Sequence, residues 1–370
     1  MPKTEKEKYS VIGAGCGGLV IAEHLTSKGY DVSLYNRSSN RIKLFRKKGY
    51  NIVYGDKTIN IKPSYFGTDI SRAISNRDII IVVITANGHK EIAGKMAPYL
   101  KNGQIILLVP GRTWGALEFE YTLKQLGCDA DVIIAEANTL FFVARIETPG
   151  TVTVKGVKKT ITVSALHSAD TEYVIGKIHN DFPQLIKATS FIETSLGNIG
   201  AIFHPAIFLL NKERILAGES FNFYTEGITK KVAYFIEEVD HEVQNIATAM
   251  KAKVLSVRDW LSSRYGLKNA DIYTMIRSNP IYKDIKAPVI INHRYLWEDI
   301  PTGLVPLSSF GITMGVSTKT IDYLIDEGCE LLKRDFRKEG RTLEKLGLSK
   351  NNLLSDLDKI INKKTRNFRI

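Results

Sequence analysis

The sequence predicts an α/β protein in two parts: a Rossmann-type, doubly wound parallel sheet over residues 1–190, then an all-α domain over residues 191–370. Three observations carry this. Strand-like and helix-like segments alternate through the first half, the order that builds parallel sheets through right-handed crossovers. A glycine-rich turn, Gly13-Ala14-Gly15-Cys16-Gly17-Gly18, links the first strand pattern to the first helix pattern. Near residue 190 strand signals nearly vanish and long helical patterns take over. A chain of 370 residues also exceeds what one hydrophobic core usually organises.

The elements follow in order. KYSVIGAG is a short apolar run ending in glycine, and GLVIAEHLTSKG is a helix pattern closed by Gly29, a natural C-terminal glycine. DVSLYNRS returns to strand character. Ile52–Tyr54 and Thr58–Ile61 flank Gly55-Asp56, a pair that favours a hairpin turn. Asp78–Thr85 is an apolar, β-branched run, which suits a strand buried on both faces. Lys90–Leu100 fits a helix, Gln104–Val109 and Asp131–Ala135 fit two more buried strands, and Thr151–Val154 with Thr160–Ala165 fit a later β pair. In the second half Asn198–Leu210, Thr229–Ala249 and Thr318–Arg337 have helical periodicity.

The glycine turn supplies G-x-G-x-x-G at Gly13, Gly15 and Gly18, after a strand pattern and before a helix pattern. Gly13 permits the tight turn, Gly15 lets a pyrophosphate approach the backbone, and Gly18 lets the helix pack against the strand. The helix N-terminus offers free N–H groups to the anion. The implied ligand is a nicotinamide dinucleotide. The second strand ends at Tyr35-Asn36-Arg37-Ser38, with Arg41 a turn later. An NAD-specific turn usually has an acid there for the ribose 2′-hydroxyl. Arg37 and Ser38 suit a 2′-phosphate instead, so NADPH is the expected cofactor and NADH the lesser one. A solvated surface arginine is the plainer reading of Arg37. The loops Thr85–His89 and Val109–Thr113 should lie at the same carboxyl edge of the sheet. His89 is expected there as a polar surface residue rather than a catalytic one.

Composition excludes several classes. Apolar residues make up 44% and charged residues 24%, the balance of an ordinary globular protein. There is no signal-peptide pattern and no apolar run near the ~20 residues that a span needs. Cys16, Cys128 and Cys329 form no CxxC pair and no zinc spacing, which fits a reducing, cytoplasmic setting with no metal centre. The net charge is +12, spread over modest clusters at Arg41–Lys48, Lys155–Lys159 and Lys359–Arg369. No cluster interleaves aromatic residues as nucleic-acid motifs do. Neither nucleic acid nor membrane is expected as a partner; a basic surface attracting small anionic substrates is. A homodimer through the second part is one arrangement left open.

Two segments of the second half are richer than a plain helical domain needs. In Thr194–Pro205, His204 stands among apolar residues directly before Pro205, which should break or kink a helix there. His293–Pro306 concentrates basic, aromatic and acidic side chains with two prolines and a glycine, and reads as a rigid polar loop. Hydride transfer to a carbonyl or imine needs a proton donor at the acceptor atom, and histidine serves at neutral pH. A carboxylate on its other nitrogen fixes the tautomer, and an arginine grips a substrate carboxylate. His204, Asp299 and Arg294 fit these three roles. A satisfied core histidine and a surface turn with ordinary ion pairs are the plain alternatives.

At these residues the chain resembles the opine dehydrogenase family, which includes the octopine and nopaline dehydrogenases. VIGAGCGGLVIAEHL is shared with many Rossmann enzymes. PGRTWGALEF and EANTL with Arg145 are closer to the family. SLGNIGAIFHPAIFLLN, FYTEGIT, RYLWEDIPTGLVPLSSFGITMGVSTKTID and GRTLEKLGL match its helical domain in order and spacing. The resemblance implies reductive condensation of a 2-oxo acid with the amino group of an amino acid through an imine. It also implies a catalytic pair at His204 and Asp299, and substrate binding by Arg294 and Asn198. The stretch after EANTL departs from the family's proline and cysteine: Phe141, Phe142, Val143 and Ala144 stand there, where contact with the substrate is expected. Other readings are a ketopantoate-type reductase, which would need no amine, and a non-catalytic NADPH sensor.

Overall fold

The structure is a computed structural model describing residues 6–268 and 270–363, with nothing described of the Lys48 side chain. The basic stretch Lys359–Arg369 therefore lies partly outside the described residues. The chain divides into two compact units. One holds the chain to Gly111, Gly115–Thr194 and the chain from Lys359; the other holds Arg112–Trp114 and Ser195–Asp358. Two segments thus depart from a simple 1–190 and 191–370 division. The first unit is the expected α/β sheet and the second is helical.

The first unit is built on β1 (Tyr9–Ile12), β2 (Val32–Tyr35), β3 (Asn51–Tyr54), β4 (Lys57–Asn60), β5 (Tyr65–Gly67), β6 (Ile79–Val82), β7 (Ile105–Leu108), β8 (Ile133–Ala137), β9 (Phe142–Thr148), β10 (Thr151–Val157), β11 (Ile161–Ala165) and β12 (Leu185–Lys187). An eight-stranded sheet runs β12-β11-β8-β7-β6-β1-β2-β5. All its pairings are parallel except β8 with β11. β1, β6 and β7 are buried along their whole length, as strands covered on both faces must be. β1 lies between β2 and β6, where the strand order reverses. Such switch points place ligand loops at the carboxyl edge.

A second sheet, β4-β3-β10-β9, contains the expected hairpin at Gly55-Asp56. The expected pairing of Thr151–Val154 with Thr160–Ala165 is not formed: β10 joins β3 and β9, while β11 joins the large sheet. Alternation alone does not distinguish two sheets that share a run of sequence. Phe141 and Phe142, expected near substrate, are buried in the core of this unit. Phe141 packs on Phe182 at 4.7 Å, because these apolar rings gain more from burial than from a polar cleft.

The helices that matter for the first unit are α1 (Cys16–Ser27), α2 (Ser39–Lys48), α3 (Ile70–Ile74), α4 (His89–Met96), α5 (Gly115–Gln125), α6 (Thr171–Ile178) and α7 (Phe191–Leu196). His89, expected at the surface, is fully buried at the start of α4.

The second unit holds α8 (Ile199–Leu209), α9 (Lys212–Leu216), α10 (Lys230–Ala249), α11 (Val257–Tyr265), α12 (Ile272–Ser278), α13 (Arg294–Trp297), α14 (Val305–Thr313), α15 (Lys319–Leu332) and α16 (Phe336–Glu339). α10 starts at a Thr229 cap, whose hydroxyl accepts from the Val232 N–H at 3.2 Å. It buries Val232, Ile236, Val239, Val243 and Ile246, one stripe at helical spacing. The pattern read as one helix over Thr318–Arg337 is two: α15 stops at Leu332, where Lys333 takes φ 52°, and α16 follows.

Two expectations about proline fail, each for its own reason. α8 runs straight through Pro205. A mid-helix proline costs about 3 kcal/mol. Every residue of Ala201–Leu209 except His204 is buried, and that burial outweighs the lost hydrogen bond. His293–Pro306 is not a loop: α13, a π-helical turn at Ile300–Leu304 and the start of α14 span it. Pro301 and Pro306 occupy first-turn positions of the last two, where no N–H is needed.

Candidate active site

The dinucleotide turn follows directly from β1. Gly13 has φ +114°, and a Cβ there would lie 2.3 Å from the Val83 carbonyl oxygen. A Cβ on Gly18 would lie 1.8 Å from the Gly13 oxygen, so the turn closes against the helix only with glycine at both. Gly15 is different: nothing lies within 4 Å of where its Cβ would be. Its glycine is unneeded for the protein's own packing and leaves room for a ligand to meet the backbone. Gly15 caps α1 without a side-chain bond, leaving the first-turn N–H groups for an anion. The turn therefore fits a pyrophosphate. Asn36 Oδ1 accepts from the Ala14 N–H at 3.2 Å, and Arg41 Nη1 donates to the Ala14 oxygen at 2.5 Å. Both brace the turn from β2 and α2, a role not foreseen in the sequence.

Ser38 caps α2, its hydroxyl accepting from the Asn40 N–H at 3.3 Å. Arg37 is 73% exposed and pairs with Glu91 at 2.7 Å. Glu91 also holds Lys95 at 2.6 Å. An exposed pair of this kind is worth about 0–1 kcal/mol, so it costs little to break.

The second constellation lies wholly within the helical unit. His204 projects from α8 and Asp299 stands just before the π-helical turn. His204 Nδ1 donates to Asp299 Oδ2 at 2.8 Å. Its Nε2 is 3.2 Å from the Tyr224 hydroxyl, and its ring stacks on Tyr295 at 4.0 Å and 19°. Asp299 is fully buried, whereas the His204 side chain is 16% exposed, so the carboxylate is sealed and the imidazole edge is reachable. Gly303 permits this approach: a Cβ there would lie 2.5 Å from the Ala201 Cβ. π-helical turns recur at functional sites.

Around the pair runs a chain of alternating charges. Arg294 Nη2 binds Glu298 Oε2 at 2.6 Å, one turn along the chain. Glu298 Oε1 lies 3.7 Å from Arg112 Nε, and Arg112 Nη1 lies 3.6 Å from Asp299 Oδ1. Burial is the largest influence on Asp299 and would raise its pKa. The charges of Arg112, His204 and Arg294 outweigh burial and hold it below the ordinary carboxylate range. Burial, then the positive charges of Arg294 and His204, push His293 down to about 4. Its ring is neutral at pH 7 and Nδ1 accepts from the Tyr295 N–H at 3.4 Å.

The structure thus brings His204, Asp299, Arg294 and Asn198 into one unit. Asn198, expected on substrate, has its amide engaged within the protein. It is buried, accepts from Arg112 Nη1 at 2.9 Å and donates to Thr113 Oγ1 at 3.2 Å. With both ends of its amide engaged, it stands at the N-cap position of α8 without a side-chain cap bond and holds Arg112. Arg294 has half its fork on Glu298 yet remains 41% exposed. Arg112 and Glu298 were not foreseen. The signals were an arginine in Pro-Gly-Arg after a buried strand, and an Arg–Glu pair four residues apart. Among the described residues no cluster suits a metal ion and no helix is long and apolar enough to cross a membrane.

A dinucleotide turn and a sealed histidine–carboxylate pair in one chain define a nicotinamide-dependent oxidoreductase. The comparisons narrow the class. Residues 187–332 match the family model for the α-helical domain of NAD/NADP octopine/nopaline dehydrogenase, and residues 9–168 match that for ketopantoate reductase PanE/ApbA. The chain is 39% identical over 346 residues to an opine dehydrogenase of Arthrobacter sp. (strain 1C), covering 93% of this chain and 96% of that one. It is 25% identical over 313 residues to octopine dehydrogenase of Pecten maximus, covering 76% and 77%. A solved octopine dehydrogenase with NADH and L-arginine has a TM-score of 0.78 at 22% identity, with 99% and 100% of the chains covered. NADP+-bound yersinopine dehydrogenase has a TM-score of 0.71 at 14% identity, with 96% and 98% covered. The chain belongs to the opine dehydrogenase family, NAD(P)-dependent oxidoreductases acting on CH–NH bonds.

Proposed function

We propose that this protein reduces the imine formed between a 2-oxo acid and the amino group of an amino acid, giving a secondary amine dicarboxylate. The carrying observation is the His204–Asp299 pair, at 2.8 Å with one partner sealed and the other reachable. Condensation releases water and forms the C=N bond. Reduction then adds a hydride to its carbon and a proton to its nitrogen. The nicotinamide, when bound, supplies that hydride. His204 is the proton donor through Nε2, the nitrogen turned away from Asp299. Asp299 keeps the proton of Nδ1 in place and stabilises the imidazolium. The Tyr295 face favours the cationic ring, and Tyr224 orients Nε2. Arg294 presents its outer fork to a substrate carboxylate. Gly13, Gly15 and Gly18 form the pyrophosphate turn. Arg37 and Ser38, with no acidic residue at the end of β2, favour the 2′-phosphate of NADPH over NADH.

NADPH consumption is measured with pyruvate, with and without a panel of amino acids, for the parent protein and His204→Ala. Consumption that needs both substrates and falls on the order of 10²–10⁴-fold in the variant is expected. Consumption with pyruvate alone supports the ketopantoate-type reductase reading instead. That reading has a family match only over residues 9–168. Tight NADPH binding with no turnover would favour the sensor reading.

A further inference from the structure

Resting on the reading of His204 and Asp299 as the acid–base pair, we propose that Arg112 is a positioning residue for that pair. Its guanidinium is the permanent counter-charge that keeps Asp299 ionised and aimed when the imidazole becomes neutral.

The need arises from the proton cycle. Before transfer, the buried Asp299 faces an imidazolium. After transfer it faces a neutral ring, and a buried carboxylate without a cation is costly. Arg112 Nη1 stands 3.6 Å from Asp299 Oδ1, on the oxygen that His204 does not use. The two oxygens therefore have separate partners: a titrating one on Oδ2 and a permanent one on Oδ1. An arginine suits the second place because it stays protonated throughout.

The surroundings are built to hold it. Arg112 has φ 61° and Trp114 has φ 61°, a left-handed region that costs about 1–2 kcal/mol per non-glycine residue. The segment is clamped in the helical unit. The Thr113 N–H donates to the Thr302 oxygen at 3.3 Å, the Trp114 N–H donates to Ser195 Oγ at 3.1 Å, and Arg341 Nη1 donates to the Thr113 oxygen at 2.8 Å. Trp114 is fully buried and stacks on Phe310 at 4.5 Å. Asn198 fixes Nη1 at 2.9 Å. Gly200 makes room, since a Cβ there would lie 2.3 Å from Nη1. Glu298 reaches Nε at 3.7 Å. Arg112 is 12% exposed at the side chain, a place for a fixed charge more than for a mobile substrate clamp.

The test is a kinetic cycle on the full chain, with NADPH, pyruvate and the fastest amino acid of the panel. The variants are Arg112→Gln, His204→Ala, the double variant and Arg112→Lys. Arg112→Gln should lower kcat on the order of 10²-fold, the scale of a misplaced catalytic group, with the KM for pyruvate moving less than about threefold. The acid limb of its pH profile should rise by about one unit or more. Asp299 would then be faced only by His204 and Arg294, with Glu298 and neutral His293 nearby. Arg112→Lys should restore part of the rate. The double variant should be no slower than His204→Ala by more than about twofold, because Arg112 acts through the same pair.

Additive losses in the double variant would make Arg112 a general structural residue and overturn the proposal alone. A raised KM with unchanged kcat would make it a substrate ligand and also overturn it. A near-normal rate in His204→Ala, or no turnover by the parent with any pair, would overturn the acid–base reading and this proposal with it.

Discussion

Replacing Gly303 with alanine tests how the His204–Asp299 pair, proposed as the acid–base pair, is held. The added Cβ would lie 2.5 Å from the Ala201 Cβ. Carbon atoms rest at about 3.5–4.0 Å, so the π-helical turn and α8 must separate by roughly 1–1.5 Å. Asp299 lies one turn before Gly303 and His204 one turn after Ala201, so the separation acts on a bond of 2.8 Å. A displacement near 1 Å at a catalytic group costs about 10²-fold in rate. Forcing an extra methyl into a packed site costs about 1–3 kcal/mol in stability. Steady-state kcat for NADPH oxidation and the urea midpoint at pH 7 measure both. The partner substitution gives the stringent control. Ala201→Gly removes the atom that is struck, and the next neighbours of the Gly303 Cβ are Asn198 Nδ2 at 3.4 Å and the Ala201 Cα at 3.5 Å. The double variant should therefore recover most of the kcat while keeping about 1 kcal/mol of loss from glycine in a helix. A Gly303→Ala protein with parental kcat, or a double variant no faster than Gly303→Ala, would refute the reasoning.

Two further outcomes follow from the first unit. Glu120 is buried, which opposes ionisation, but His167 and Lys124 outweigh that and pull it down to about 2 from an ordinary 4.5. The difference corresponds to about 3 kcal/mol of stability, fully present above pH ~4.5 and lost as pH falls toward 2. Glu120→Gln should therefore be less stable at pH 7 and approach the parent in urea melts as pH falls from 5 to 3; a constant gap would contradict this. Arg37→Asp should shift the ratio of kcat/KM for NADPH over NADH toward NADH by about 10–100-fold, the worth of one or two charge-assisted bonds. An unchanged ratio would leave Arg37 as the surface partner of Glu91.

The legible parts of the sequence were those whose chemistry is local. The glycine turn and first helix follow largely from local sterics, since Gly13 has φ +114° and Gly18 meets the Gly13 oxygen five residues before it. The hairpin at Gly55-Asp56 and the stripe of α10 are local too. His204, Asp299 and Arg294 were found by residue type and resemblance. Long-range placement was not legible. Nothing near residue 112 shows that its backbone turns left-handed or that residues 195, 302 and 341 clamp the segment. Pro205 misled because its local preference is real but is outweighed by burial around α8. Pro301 and Pro306 misled differently: each sits in the first turn of a helical element, where no N–H is needed, so they open helical turns where a loop was expected.

The alternating charges make a last prediction at Glu298. Arg294, Glu298, Arg112 and Asp299 sum to zero formal charge. Glu298 is buried and cannot turn to solvent, yet it occupies part of the Arg294 fork at 2.6 Å. On the proposed role of Arg294, a substrate carboxylate must share that arginine. Glu298→Gln removes the competing charge, leaves a side chain of similar size and makes the site more positive by one charge. The KM for pyruvate should then fall by about 3–10-fold, the worth of roughly one added hydrogen bond of about 1 kcal/mol. Stability should also fall, on the order of 3 kcal/mol, because Arg294 and Arg112 lose a buried partner. Opposite signs for binding and stability would show that Glu298 holds the arginines in place at the expense of substrate affinity. A KM that rises with the loss of stability would mean instead that Glu298 is needed to aim Arg294, and would reject the competition argued here.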